Sequence, residues 1–297
     1  MKEYKKEVVA GVEYSLPEVT LLQSTGIGVA EVAGRTCYDS FGASENEAVV
    51  KFQERIEAGD ETYMEINEIE SSDLLDNLAW VYHHHSIIEH AVVSYRVKNV
   101  SRGVLQEHAR HRLQSISVRS SRYVLGNVMN AYVAVRKTTE LISDARMKFQ
   151  SMVGEGRPID ILVVTDREQE KIEAGTIFDK LYAQELVIGQ EEFISLAIAK
   201  SSIPFLEEQY PTSKELFDRL EAGKSKRNVG DPFKHIVSDN WKTEMIITFN
   251  IRSLKNYIDL RSAGSAWFQI RWLANAIIEA TPEKYLALIS KKHRYQH

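Results

Sequence analysis

The most informative part of the chain runs from residue 110 to residue 123 and reads Arg110-His111-Arg112-Leu113-Gln114-Ser115-Ile116-Ser117-Val118-Arg119-Ser120-Ser121-Arg122-Tyr123. Its fourteen residues include four arginines, one histidine and four serines, and no acidic residue. Such a segment cannot form a hydrophobic core, so an exposed cationic surface is one interpretation. The other is a helix end that opens into a loop, where guanidinium groups and hydroxyls converge on a phosphate.

The overall composition favours a globular protein with a small anionic ligand. Of the 297 residues, 43% are hydrophobic and 27% are charged, which is ordinary for a globular chain. The net charge of −5 argues against a dedicated nucleic-acid partner. Positive charge is concentrated locally instead, because the chain from Arg96 to Arg122 holds seven Lys or Arg residues and a single acid, Glu107.

No segment has the pattern of a signal peptide or the length of a membrane span, so we expect a cytoplasmic protein without a membrane partner. The only cysteine, Cys37, excludes an internal disulfide and a cysteine-based metal cluster. It lies in Arg-Thr-Cys-Tyr, where nothing nearby would activate a thiol, and we expect it to be buried and structural.

The hydrophobic pattern predicts both helices and strands. Ser72 and Ser101 are predicted N-caps, and the alternation of residues 91–97 predicts a half-buried strand. Gly26-Ile27-Gly28 lacks the third glycine of a dinucleotide fingerprint, so a plain turn is the favoured interpretation. Predicted strands are 18–22, 91–97 and 245–250, and the apolar run 161–164 is interpreted as a buried strand or the end of a helix. Predicted helices are 27–40, 46–58, 73–83, 266–279 and short ones beginning at Ser101 and Ser253. Residues 166–224 are interpreted as an insertion or elaboration.

Six of the nine histidines lie between His83 and His111, which raises the question of a metal site. A His-Glu-x-x-His helix needs two imidazoles four residues apart, and Glu89-His90 reverses that order. We therefore predict no metal, and favour a polar cleft lining or a solvated helix end for residues 84–90.

Several motifs together resemble the flavin-dependent thymidylate synthases. Arg110-His111-Arg112, seven further residues, Ser120 and then Arg122-Tyr123 match the signature of that family. Residues 250–262 resemble its Asn-x-Arg-Ser-Leu-x-Asn segment, residues 84–90 its histidine-containing loop, and residues 35–38 an N-terminal segment. The resemblance implies the thymidylate synthase-complementing fold, an α+β fold with a mixed sheet flanked by helices. It also implies one domain over residues 1–297, assembled as a homotetramer with shared active sites.

The resemblance also implies a reaction. In this family, NADPH reduces bound FAD, 5,10-methylenetetrahydrofolate provides a carbon, and the reduced flavin returns a hydride that completes the methyl group of dTMP. The expected substrate is dUMP, and no cysteine nucleophile is involved. The flavin-independent enzyme instead uses a cysteine in a Pro-Cys-His context, which Cys37 does not have.

Site residues follow from the resemblance, position by position. Arg261 and Ser120 are the implied catalytic residues, and His84 is implied to lie near the folate. The implied cofactor contacts are Ser86, Arg110, His111, Arg112, Val118, Asn250, Arg252 and Asn256. The implied nucleotide contacts are Glu107, Arg110, Arg119, Ser120, Ser121, Arg122, Lys234 and Arg261. For Lys234 the surrounding match is looser, and a surface lysine is an equal interpretation.

The implied position of Arg261 has a clear chemical meaning. A cation beside N3 and O4 of uracil stabilises the anionic ring, which makes C5 a better nucleophile.

Some positions depart from the commoner family pattern, which has Gln in place of Glu107, Glu in place of Val118, Asn in place of Ser117 and, in many members, His in place of Ser265. The altered positions around Val118 leave open a flavin-dependent C5 methylase of another pyrimidine nucleotide such as UMP. A nucleic-acid-binding module is a more distant alternative, supported only by the charge of the basic stretch and opposed by the net charge of −5.

Overall fold

The computed structural model describes residues 5–60, 62, 66, 72–120, 239 and 242–294, and it divides into two compact units. The first unit is Met1–Lys5, Leu16–Val118 and Thr243–His297, and the second is Lys6–Ser15 and Arg119–Lys242. In the second unit, strands β1 (Lys6–Val9) and β2 (Val12–Ser15) form an antiparallel hairpin. The apolar run 161–164, interpreted as a strand or a helix end, and the predicted elaboration at 166–224 lie outside the described residues.

A four-stranded sheet organises the first unit. Its strands are β3 (Glu18–Ser24), β4 (Val92–Ser101), β5 (Gln114–Val118) and β6 (Lys242–Asn250), in the order β3-β4-β6-β5. The β3–β4 and β5–β6 pairs are antiparallel. The alternation predicted for β4 is largely confirmed, because Val93, Tyr95 and Val97 are buried and Arg96 is exposed, but Ser94 is buried as well.

Seven α-helices accompany these strands in the part of the chain that is described. They are α1 (Gly28–Tyr38), α2 (Glu47–Glu57), α3 (Asp73–Trp80), α4 (Arg102–His108), α5 (Ile251–Arg261), α6 (Phe268–Ala280) and α7 (Glu283–Ile289). Short 3₁₀ turns occupy Phe41–Ala43, Ile87–Glu89 and Lys291–His293. The predicted α+β class is confirmed. Among the described residues, no helix has both the length and the apolar character to cross a membrane.

The helix caps show how local sequence sets the element boundaries. The Ser72 and Ser101 hydroxyls accept hydrogen bonds from the Leu75 and Val104 amides, as predicted. The prediction that α5 begins at Ser253 is wrong. Asn250 is the N-cap, and its Oδ1 accepts a hydrogen bond of 2.8 Å from the Ser253 amide. An Asn at this position satisfies an otherwise unpaired amide of the first turn.

The core of the first unit lies between the central strands β4 and β6 and the C-terminal helices. Its largest fully buried side chains include Tyr95, Phe249, Tyr257 and Tyr285. The face predicted for 266–279 is largely confirmed, because Ile270, Ala274 and Ile277 of α6 are buried; Trp267, just before the helix, is 36% exposed.

Two expectations need correction. Cys37 is exposed near the end of α1, so the prediction of a buried cysteine is wrong. The basic stretch is also not a continuous loop, because residues 114–118 form β5 and pair with β6. The alternation of Ser115 and Ser117 with Ile116 and Val118 explains the strand, since the two apolar residues pack against the core.

Candidate functional site

The guanidinium of Arg261 is the centre of the candidate site. Arg261 is the last residue of α5; its Nε donates to Nε2 of His111 at 2.9 Å, and its Nη1 donates to Oε2 of Glu107 at 2.8 Å. Its Nη2 also reaches the Glu107 carbonyl at 3.4 Å. Arg261 therefore meets two other predicted site residues that are distant from it in sequence, and we call Glu107, His111 and Arg261 the Arg261 cluster.

The protonation state of this cluster follows from its surroundings. Burial and then the positive charge of Arg261 lower the pKa of His111. A neutral imidazole can accept the hydrogen bond from Arg261, whereas an imidazolium could not. The carboxylate of Glu107, about one-third exposed, pairs with a guanidinium that is about one-fifth exposed, so the cluster carries little net charge.

Two residues that sequence reasoning did not single out lie behind the cluster. His108 is fully buried, and its Nδ1 is 3.1 Å from the hydroxyl oxygen of Tyr257, which is also fully buried. Burial, followed by the nearby His111, lowers the pKa of His108 to about 4. Burial raises the pKa of the Tyr257 hydroxyl. The sequence signal that could have identified Tyr257 is its spacing. It precedes Arg261 by four residues, or one helical turn, so the two side chains lie on the same side of α5.

The histidine-containing loop is anchored by Ile87 and Ile88, which are buried, while Ser86, Glu89 and His90 are exposed. Glu89 forms an ion pair with Arg252 of α5, so this loop is joined to the helix that carries Arg261. A salt bridge between exposed side chains contributes little to stability, but it orients both groups.

His84, the residue predicted to lie near folate, has its own partner. Its Nδ1 is 2.6 Å from the hydroxyl oxygen of Tyr38, at the end of α1. The two rings are nearly parallel, with an interplanar angle of 10°. The neighbouring His85 instead uses its Nε2 in a 3.0 Å contact with the Ala79 carbonyl. His84 and His85 therefore face different partners.

Three predicted cofactor contacts lie at the start of α5. Arg252 and Asn256 are four residues apart, so they share one side of the helix, and both are exposed. The Oδ1 atom of Asn250 is used in the helix cap, which leaves its amide NH₂ as the group it can offer a ligand. These donors fit an anionic, hydrogen-bond-accepting group such as the pyrophosphate of FAD.

The remaining predicted residues are less tightly grouped. Arg110 and Arg112 are exposed between α4 and β5, while Val118 pairs with Met245 and packs against the core. Arg119 is exposed and Ser120 half-buried, and both belong to the second unit. Ser121, Arg122 and Lys234 lie outside the described residues. Within the residues that are described, no group of three His, Cys, Asp or Glu side chains is placed to hold a metal ion.

A four-stranded sheet accompanied by helices defines an α+β protein, and its exposed arginines and amides can bind an anionic group. Comparison with known proteins makes the assignment specific. The chain belongs to the thymidylate synthase complementing protein family, whose model matches residues 20–285. The predicted resemblance is therefore confirmed.

Relatives of similar length carry a consistent name. A flavin-dependent thymidylate synthase from Wolinella succinogenes is 30% identical over 277 residues, covering 93% of this chain and 95% of the relative. One from Campylobacter jejuni (strain RM1221) is 28% identical over 268 residues, covering 90% and 93%. The crystal structure of thymidylate synthase X from Helicobacter pylori with FAD and dUMP shares the fold, with a TM-score of 0.56 at 22% identity; it covers 94% of this chain and 100% of that one.

Proposed function

We propose that this chain is a flavin-dependent thymidylate synthase that converts dUMP to dTMP with bound FAD, 5,10-methylenetetrahydrofolate and NADPH. The observation that carries this proposal is the Arg261 cluster, in which Glu107 and His111 fix the guanidinium of Arg261. Family membership over residues 20–285 supports the same reaction. FAD supplies the hydride chemistry when it is bound.

The role proposed for Arg261 is electrostatic. Its guanidinium stabilises negative charge on the uracil ring and so favours attack from C5. Two acceptors hold this group before substrate arrives, so little reorganisation is needed when charge develops. No protein nucleophile takes part, and the exposed Cys37 is not required.

The phosphate of dUMP requires a second set of groups, because the charge of Arg261 is largely offset by Glu107. We assign the phosphate to Arg119, Ser120, Ser121, Arg122 and Lys234, with Arg110 facing the same nucleotide. Arginine forks and hydroxyls bind phosphate oxygens through charge-assisted hydrogen bonds. Ser120 is in addition the second catalytic residue of the proposal.

On the cofactor side, the proposed FAD contacts are Ser86, Arg110, His111, Arg112, Val118, Asn250, Arg252 and Asn256. The ion pair between Arg252 and Glu89 places the histidine-containing loop beside α5, which supports a shared role of the two segments. His84 is proposed to border the folate, oriented by Tyr38. The proposed assembly is a homotetramer with shared active sites, and the proposed location is the cytoplasm. Light scattering after size-exclusion chromatography would measure the mass of the assembly.

The reaction can be tested directly. The protein is incubated anaerobically with FAD, NADPH, 5,10-methylenetetrahydrofolate and dUMP, and the nucleotide is identified by mass. We expect dTMP to form only when FAD is present. A Cys37→Ala variant should form dTMP at the same rate, whereas a folded but inactive Cys37→Ala protein would contradict the mechanism.

A second candidate is C5 methylation of another pyrimidine nucleotide such as UMP. It is motivated by two departures from the commoner family pattern, Val118 and Glu107. The Glu107 carboxylate already accepts a hydrogen bond from Arg261. Comparing kcat/KM for dUMP and UMP separates the two candidates, and a clear preference for UMP would overturn the first.

A further inference from the structure

The buried pair His108 and Tyr257 joins the end of α4 to the middle of α5. The two rings meet nearly at right angles, with centroids 5.1 Å apart and an interplanar angle of 70°. Phe249 of β6 packs against both, at 5.9 Å from His108 and 5.3 Å from Tyr257. The hydrogen bond between His108 and Tyr257 is therefore enclosed by aromatic side chains and shielded from water.

Each member of the pair is close in sequence to a member of the Arg261 cluster. Glu107 directly precedes His108, and Tyr257 lies one helical turn before Arg261. The edge of the His111 ring also meets the Tyr257 ring, with centroids 4.7 Å apart. A shift of Tyr257 relative to His108 would therefore move Arg261 relative to both of its acceptors.

The end of α4 is fixed from a second direction. The side-chain amide of Gln114, the first residue of β5, donates to the His108 carbonyl at 2.9 Å. The backbone on which Glu107 and His111 stand is thus held by β5, and the His108 side chain connects it to α5. Apolar side chains could fill the same space, but a hydrogen bond has a required direction and so favours one relative position of the two helices.

We propose that His108 and Tyr257 are positioning residues that hold Arg261 and Glu107 in the arrangement that binds the pyrimidine nucleotide. The proposal rests on the proposed function, because it concerns the nucleotide bound at the Arg261 cluster. Neither side chain touches the nucleotide; both act through the guanidinium and its acceptors.

The test uses Tyr257→Phe, which removes the hydroxyl and keeps the ring. The FAD-loaded variant is compared with the FAD-loaded original chain in three ways: dUMP affinity by equilibrium dialysis, KM and kcat for dUMP, and the unfolding temperature. We expect Kd and KM for dUMP to rise about tenfold while the FAD content stays unchanged. Loss of a buried hydroxyl that served only stability would lower the unfolding temperature and leave Kd unchanged.

Tyr95→Phe is the matched control. Tyr95 is also fully buried, and its hydroxyl pairs with Oγ1 of Thr281 at 2.7 Å, at the end of α6 rather than at the Arg261 cluster. We expect this variant to lose stability and to keep the original Kd for dUMP. A rise in Kd as large as that of Tyr257→Phe would overturn the proposal, because the effect would then follow stability.

A second substitution makes the test independent of one variant. His108→Leu should raise the Kd for dUMP by a similar factor. Because the two residues act as one unit, the Kd of the double variant should not exceed that of the single variant with the higher Kd. An unchanged Kd in Tyr257→Phe, or additive effects, would overturn the proposal, as would failure of both single variants to fold. If the original chain itself binds no dUMP, the proposed function fails instead, which is a different result.

Discussion

At the scale of single residues, the candidate site depends on how Glu107 and His111 satisfy the guanidinium of Arg261. The three nitrogens of Arg261 are each directed at an acceptor on Glu107 or His111. Burial and then the charge of Arg261 lower the pKa of His111, which favours the neutral ring that accepts this hydrogen bond. Substitutions here should affect the nucleotide chemistry more than the fold.

Arg261→Ala should abolish turnover while FAD still binds. Removing one preorganised group that stabilises developing charge typically costs about 10²–10³ in kcat. Turnover of dUMP and the flavin absorbance of the purified protein measure the two effects separately. Arg271→Ala is a suitable control, since Arg271 of α6 donates to the Gly264 carbonyl and should tolerate the change. Loss of FAD together with activity in Arg261→Ala would contradict the assignment.

Gly28→Ala should destabilise the protein. A Cβ at this position would lie 1.6 Å from the Ile66 carbonyl oxygen, so the backbone would have to move. We expect the free energy of unfolding to fall by about 2–3 kcal/mol, as for other overpacked sites. At Gly42 a Cβ meets nothing within 4 Å, so Gly42→Ala is the matched control. Urea denaturation of both variants gives the comparison, and equal midpoints would refute the steric argument.

At the scale of elements, α5 connects the core to the candidate site. Ile251, Leu254 and Ile258 are buried, whereas Arg252 and Asn256 face outward. A helix that is packed along one side can present donors on the other at fixed spacing. The same division holds for α4, where Val104 and His108 are buried and Glu107 reaches Arg261.

Ser101→Ala tests how α4 is held. The Ser101 hydroxyl caps α4 and donates to Oε1 of Gln269 on α6 at 2.6 Å, and Ser101 is 1% exposed. Losing both bonds should lower the free energy of unfolding by about 1–2 kcal/mol. Ser72→Ala removes only the cap of α3 and should cost about half as much. Chemical denaturation measures both, and a larger loss for Ser72→Ala would contradict the role of the α6 contact.

At the scale of the whole molecule, the buried His108 makes stability depend on pH. Its pKa of about 4 lies below the value of 6.5 expected in the unfolded chain, so the unfolded state binds an extra proton between these values. The polar and charged groups that act on His108 are Tyr257, His111, Gln114 and Arg261, and Phe249 packs against its ring. The contribution of His108 is complete above pH 6.5 and declines as the pH falls toward 4.

The measurement is the free energy of unfolding of the original chain and of His108→Leu from pH 7 to pH 4.5. The original chain should lose up to about 1.4 kcal/mol per pH unit more than the variant across this interval. Using the difference between the two proteins removes the contribution of carboxylates common to both. Parallel curves would show that His108 does not titrate as the buried environment requires.

The sequence by itself determined the family and most of the described elements of the first unit, with β5 and α7 as exceptions. Caps at Ser72 and Ser101 and the alternation in β4 are local signals, and the Arg-His-Arg and Asn-x-Arg segments identify the family through residue identity and spacing. These signals lie within short stretches of sequence, so they can be recognised without knowing how the core packs.

Only the tertiary structure decided which side chains meet. Arg261 lies 150 residues after His111 and 154 after Glu107, and no local pattern predicts that α4 ends beside α5. The sequence did not reveal His108 and Tyr257, because each occupies a buried position of its helix like the apolar core residues. Only the tertiary structure shows that the two side chains are hydrogen-bonded to each other. The exposure of Cys37 and the strand at β5 were decided in the same way, by the packing of α1 and by pairing with β6. Local sequence specifies conformation, whereas contacts between distant segments depend on how the whole core packs.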